Sequence, residues 1–239
     1  MSIVPEPYFW VLVVCAVLAS AGVSAARLAR QRRRVQALRE RIASFRLRLV
    51  ARTGEGRAAI QGRARPLELL RAPLSGAAVI GFRVKVEHLG RSRRSRWTTL
   101  VDVSEVAPFE VEDSTGRALV RPTESQLLLE LETIKESGFF TSAPPELEEL
   151  LQRHGETSRG FVLQKKLRWS EYLLEPGEQV FACGKARREP DPGAEGGGFR
   201  EAPTRLVLEA PEEGPMLIAD RLPGRLLRAL EHADLPPEP

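Results

Sequence analysis

Nucleophiles, acid–base groups and metal ligands are sparse in this chain. Its 239 residues include two cysteines and three histidines. Cys15, Cys183, His88, His154 and His232 are scattered singly, whereas a zinc finger, RING finger or iron–sulfur site needs four or more clustered ligands. No Walker A loop, G-x-S-x-G elbow, C-x-x-C, H-E-x-x-H or strand-to-helix G-x-G-x-x-G occurs, and Gly196-Gly197-Gly198 lies in a polar stretch that reads as a spacer. His154 closes a short helical pattern, where an imidazole commonly meets terminal carbonyls. Cys183 falls in an apolar run and reads as a packed side chain. Glu146, Glu148 and Glu149 read as the solvated face of one short helix. No acid and base can be paired by spacing, so the expectation is a binding protein with no catalytic residue, metal or cofactor. The competing reading is a hydrolase whose residues converge only in three dimensions.

Arginine is the abundant chemistry. Residues 27–50 hold nine Arg and one Glu, a balance of +8, while residues 51–239 carry 27 basic and 30 acidic side chains. A mildly acidic domain behind a local basic segment is poorly suited to gripping a nucleic-acid backbone, and no nucleic-acid partner is expected. The arginines suit an anionic lipid surface instead: Arg27, Arg30, Arg32, Arg33, Arg34, Arg39, Arg41, Arg46 and Arg48 are the expected membrane-surface contacts. A second basic group, Arg91, Arg93, Arg94 and Arg96 in GRSRRSRW, is a candidate loop for lipid or an acidic protein or peptide partner. A solvated hairpin loop is the plainer reading. Phe139-Phe140, after Gly138, is read as covering the sheet.

Those arginines need an element to hold them at a membrane. From Pro7 to Ala26 there are 20 residues without a charge, enough for a helix to cross the roughly 30 Å hydrocarbon layer. MSIVPEP lacks the basic n-region of a signal peptide, so the segment reads as an uncleaved anchor. Five arginines follow it between Arg27 and Arg34, and Glu6 precedes it. The positive-inside rule then gives a single-pass protein, N-terminus out, with its C-terminal domain in the cytosol.

After the span, Leu28, Gln31, Val35, Leu38, Ile42, Phe45 and Leu49 recur at three- and four-residue spacings. No Gly or Pro occurs between Gly22 and Gly54, which predicts a helix continuing to about Leu49. As a homomeric coiled coil this stripe would put Arg27, Arg34, Arg41 and Arg48 at g and Arg32, Arg39 and Arg46 at e. Arginine would face arginine along both edges. A lipid-facing or domain-facing helix is preferred, with homo-oligomerisation the alternative.

From Gly54 the pattern changes to short Val/Ile/Leu/Phe runs separated by turn residues. Phe82, Val84 and Val86 alternate with Arg83, Lys85 and Glu87, the period of a half-buried strand. Asp113-Ser114-Thr115-Gly116 is a hairpin turn, and Pro144-Pro145 to Gly155 bounds a helix. About nine strands and two short helices, 144–155 and 223–233, predict an α+β domain with a mainly antiparallel sheet curling into a partial barrel. The expected organisation is a tail 1–6, an anchor 7–26, an arginine-rich juxtamembrane helix 27–53, a domain 54–233 with a mobile loop 189–203, and a frayed end 234–239.

The segments PLSG (73–76), PFEVEDSTG (108–116) and YLLEPGEQV (172–180), each joined to a strand, resemble the GIDE-type or "beside a membrane" domain of mitochondrial outer-membrane E3 ubiquitin ligases. The likeness runs over about residues 55–232. It implies a recognition or sensing domain next to a membrane. In those ligases the domain sits between two transmembrane helices and a RING finger follows; the two cysteines of this sequence cannot build a RING, so the resemblance does not bring ubiquitin transfer with it. A substrate-recruiting role, with the RING on another chain, is the related alternative.

Overall fold

The structure, a computed structural model, describes residues 33, 36–37, 40–42, 44–90, 96–123, 125–129, 133–137, 143–159, 165–191 and 203–220. The chain divides into two compact units, Met1–Ser44 and Phe45–Pro239. In the first, the described residues from Arg33 to Ile42 are helical, and Gln36 Nε2 donates to Glu40 Oε1 one turn on at 2.9 Å. Ser44 closes this helix, its backbone N–H shared between the carbonyls of Glu40 and Arg41 and its hydroxyl donating to Arg41 O at 2.6 Å.

The second unit is built on a closed barrel. Strands β1 (Gly56–Pro66), β6 (Phe109–Asp113), β7 (Gly116–Arg121), β12 (Thr204–Glu209) and β11 (Gln179–Pro190) pair in that order, and β11 returns to β1. Counting only these five in chain order, the ring runs 1-2-3-5-4-1 with the third and fifth parallel, the topology of an OB-type barrel. Its interior mixes small with branched side chains, including Ala58, Ile60, Ala64, Ala118, Val120, Ala182 and Leu206, as a narrow ring requires. Two glycines let the strands cross closely. A Cβ on Gly62 would collide with the carbonyl oxygen of Glu112, and one on Gly184 with that of Glu209.

Two excursions from the barrel make a second layer. Between β1 and β6 the chain forms β2 (Leu70–Arg71), β3 (Ala78–Val79), β4 (Gly81–Leu89) and β5 (Trp97–Val106). Between β7 and β11 it forms β8 (Ser125–Leu128), β9 (Thr133–Glu136), helix α1 (Pro145–Arg153) and β10 (Leu167–Leu174). Strands β5-β4-β10-β9 assemble into an antiparallel sheet, while β8 pairs in parallel with β13 (Met216–Ala219) beside the barrel. Helix α1 buries Leu147, Leu150 and Leu151 in a second core with Val84, Val86, Val101 and Trp169. It ends in a Schellman motif: Gly155 is at φ 71°, its N–H bonds to Gln152 O, and Glu156 N–H bonds to Leu151 O.

Several expectations are corrected. The domain is mostly β rather than α+β: among the described residues of the second unit, thirteen strands stand against one nine-residue helix and a three-residue 3-10 turn, Val50–Arg52. The extra strands are pieces of two to four residues, too short for a periodicity to register, that form because a neighbouring strand passes alongside. The barrel is closed rather than partial, and β7–β12 and β8–β13 are parallel because the long excursions return their chains in the same direction. No helix among the described residues is long and apolar enough to cross a membrane; the span 7–26 lies outside them. The juxtamembrane helix stops short of Leu49, and the chain is extended from Phe45. Phe45-Arg46-Leu47-Arg48-Leu49 also alternates with period two, and the bonds that Arg46 and Arg48 make to Ala59 outweigh the helical reading. Strand β11 runs two residues into the expected loop 189–203, held by its pairing with β12. The helix 223–233 and Phe139-Phe140 lie outside the described residues.

Candidate functional site: the arginine-bearing neck

Residues 45–52 form a strap across the barrel seam. Strand β1 pairs with β6 only from Arg63 to Pro66, so its earlier stretch needs another partner on that side. The strap supplies it: Leu47 bridges Ala59 in parallel, with Ala59 N donating to Arg46 O and Arg48 N to Ala59 O, both at 2.9 Å. Phe45 is fully buried and carries the Arg57 guanidinium 5.0 Å from its ring centroid.

The far end of the strap is fastened by the β6–β7 hairpin. The Asp113 carboxylate accepts from Val50 N at 2.7 Å, from Thr115 N and Thr115 Oγ1 at 2.6 Å each, and from Gly116 N at 3.1 Å. Thr115 Oγ1 in turn accepts from Ala51 N at 3.1 Å. Partial burial pushes the Asp113 carboxyl up, but these donors outweigh it and hold it below the usual carboxylate range. With the backbone pinned and Val50 and Thr53 buried, Arg46, Arg48 and Arg52 are turned outward and exposed. A cleft of about 290 Å³ opens here, with Leu47, Arg48, Leu49 and Arg52 among its walls.

Nine arginines elsewhere in the domain face carboxylates, while Arg63, Arg71, Arg96, Arg159 and Arg188, like those of the strap, form no such pair among the described residues. Arg83 and Asp102 form a two-point pair at 2.8 and 2.9 Å. Arg65 and Arg117 share Glu112. Arg121, Arg187 and Arg205 meet Glu189 and Glu209 across β7, β11 and β12, with Arg121–Glu189 at 2.6 Å and Arg205–Glu189 at 2.7 Å. The hydrogen bonds from Arg121 and then Arg205 pull the Glu189 carboxyl down to about 2. On the four-stranded sheet, burial raises the Glu87 carboxyl, but Lys85 and Arg168 outweigh that and leave it low. Among the described residues, Arg46, Arg48 and Arg52 make no such pair.

Of the predicted arginines, Arg46 and Arg48 are thus brought into the neck site. Arg33 is exposed and Arg41 half-buried in the first unit, and Arg27, Arg30, Arg32, Arg34 and Arg39 lie outside the described residues. In the second basic group, Arg91, Arg93 and Arg94 also lie outside them. Arg96 O accepts from Gly90 N at 2.9 Å at the loop's stem, beside Trp97, on whose ring Arg168 sits at 4.4 Å. Arg52 and the fastener Asp113 were not singled out by the sequence as parts of this site. Arg52 falls beyond the apolar stripe, and Asp113 read as a turn residue only.

The other candidates take the roles expected of ordinary structure. His154 Nδ1 donates to Leu150 O at 2.9 Å, and Cys183 is buried in β11. Nδ1 of His88 is buried without a hydrogen-bond partner, yet no three His, Cys, Asp or Glu side chains converge among the described residues.

A family model described as "GIDE: E3 Ubiquitin ligase" matches residues 83–195. Over these residues the chain is similar to the GIDE family. The match takes in the hairpin with PFEVEDSTG and the turn YLLEPGEQV, while PLSG and the strap precede it. The matched segment supplies the four-stranded sheet apart from the first two residues of β4, together with α1 and three of the five barrel strands; β1 and β12 come from outside it. No curated protein and no solved structure gives a significant match.

Proposed function

We propose that this protein is a membrane-held recognition domain of the GIDE type, without catalysis of its own, kept at the cytosolic face by its N-terminal segment. The observation that carries the reading is electrostatic. A domain that matches most of its arginines to carboxylates leaves Arg46, Arg48 and Arg52 unmatched in one pinned strap. That strap follows a segment richer still in arginine and, before it, 20 uncharged residues. Guanidinium groups without a protein counter-charge beside apolar side chains suit an anionic headgroup layer. The topology is single-pass with the N-terminus outside. Protease added to intact cells or spheroplasts leaves the domain whole if this is right. Digestion from outside, or a mature N-terminus near Ala26, overturns it.

The family description favours one second reading, in which the domain recruits substrates for a ubiquitin-like ligase whose RING lies on another chain. Co-purification of a RING protein with the domain, lost on disrupting the four-stranded sheet, is the result that would select it.

A further inference from the structure

We propose that the neck cleft is a seat for one anionic phospholipid, with Arg48 and Arg52 holding the headgroup phosphate and Leu47 and Leu49 lying along the glycerol and first acyl carbons. The inference deepens the membrane-face reading and rests on it. Two exposed arginines line this cleft, neither with a carboxylate partner among the described residues, and guanidinium forks are a usual means of holding a phosphate. The Asp113 carboxylate that fastens the strap already accepts from Val50, Thr115 and Gly116. Leu49 is 40% exposed, a wall with no use to a free phosphate but suited to a headgroup with its lipid stem. At about 290 Å³ the cleft is at the small end of ligand pockets, matched to a headgroup rather than a whole lipid. The pinned backbone presents the arginines already placed, so little ordering entropy is spent on binding.

The test uses the full chain in detergent micelles, titrated with dioleoyl phosphatidylglycerol and, separately, dioleoyl phosphatidylcholine and inorganic phosphate, with bound molecules counted by native mass spectrometry. One phosphatidylglycerol should be retained at least about tenfold more tightly than phosphatidylcholine. The double variant Arg48→Gln/Arg52→Gln should weaken it about thirtyfold, and Arg63→Gln, an exposed arginine of β1 outside the strap, by less than about threefold. Because all three side chains are exposed, unchanged thermal melts should accompany these shifts. Arg48→Lys/Arg52→Lys should recover part of the binding, since charge returns without the fork. Equal binding by the double variant and the parent overturns the seat, as does equal retention of phosphatidylcholine. Displacement of the lipid by millimolar inorganic phosphate overturns the lipid assignment in favour of a free-anion site. A chain that sediments with membranes yet shows no arginine-dependent lipid loses the seat alone; a chain that does not sediment with membranes loses the membrane-face reading itself.

Discussion

Glu189 sits where three arginines converge. It accepts from Arg121 and Arg205, and Arg187 lies at 3.2 Å. Its carboxyl is held at about 2, well below the ordinary value of 4.5. A depressed carboxylate stabilises the folded state above its unfolded pKa, and the contribution disappears as pH falls through the folded value. Thermal melts should therefore lose midpoint steadily from about pH 4.5 to about pH 2. Glu189→Gln should lower the midpoint at neutral pH and flatten the slope in that window. An unchanged slope would remove Glu189 from the account. Asp113 makes a sharper local prediction. Asp113→Ala leaves the strap's Val50 N–H without its acceptor and should cost about 1–3 kcal/mol in denaturant unfolding. Amide exchange should speed up first at Val50 and Ala51.

At the scale of elements, the barrel depends on backbones that approach too closely for any side chain. Gly62→Ala places a methyl against the Glu112 carbonyl where β1 passes from β11 to β6. A loss of about 1–3 kcal/mol is expected, the usual range for overpacking a closed site. An Ala variant as stable as the parent would mean that the crossing is looser than the backbone indicates. The arginine-rich segment makes a prediction in sign. Changing Arg32 and Arg39 to Glu should weaken association with anionic vesicles, at about 1 kcal/mol for each basic side chain lost. If the helix instead self-associates through its apolar stripe, the same change sets Glu against arginine at g and strengthens the dimer. Vesicle sedimentation and analytical ultracentrifugation on a neck peptide separate the two. Since Phe45 to Leu49 belong to the barrel strap, the stripe open to either use ends near Ile42.

The second unit has two cores, and the chain leaves the barrel for the second core and returns twice. The matched segment 83–195 contains β6, β7 and β11 but lacks β1 and β12, the strands that join them into a ring. A fragment trimmed to 83–195 should show no cooperative thermal transition and poor amide dispersion, whereas residues 45–220 should melt in one transition. Closing the ring pairs Gly56 with Ala186 and Leu206 with Ala118, contacts far apart in sequence that cost loop-closure entropy before they give stability. A folded 83–195 fragment would show that the four-stranded sheet stands without the barrel.

The sequence by itself determined what local rules can read. Alternation in Phe82–Glu87 marks β4, Asp113–Gly116 marks the β6–β7 hairpin, Pro144–Pro145 and Gly155 bound α1, and the charge partition isolates the arginines from an acidic domain. Each of these is a property of neighbouring residues, set by side-chain period, φ preference or charge. Only the tertiary structure decided that the ring closes, that two strand pairs run parallel, that Arg52 joins Arg48 at one cleft, and that Asp113 fastens a strap 63 residues earlier in the chain. The segment Phe45–Leu49 shows why. Its apolar residues satisfy the helical and the extended period alike, so its own chemistry leaves the choice open. The choice is made by the carbonyl and amide of Ala59, left unpaired on one side of β1 where β6 has not yet begun.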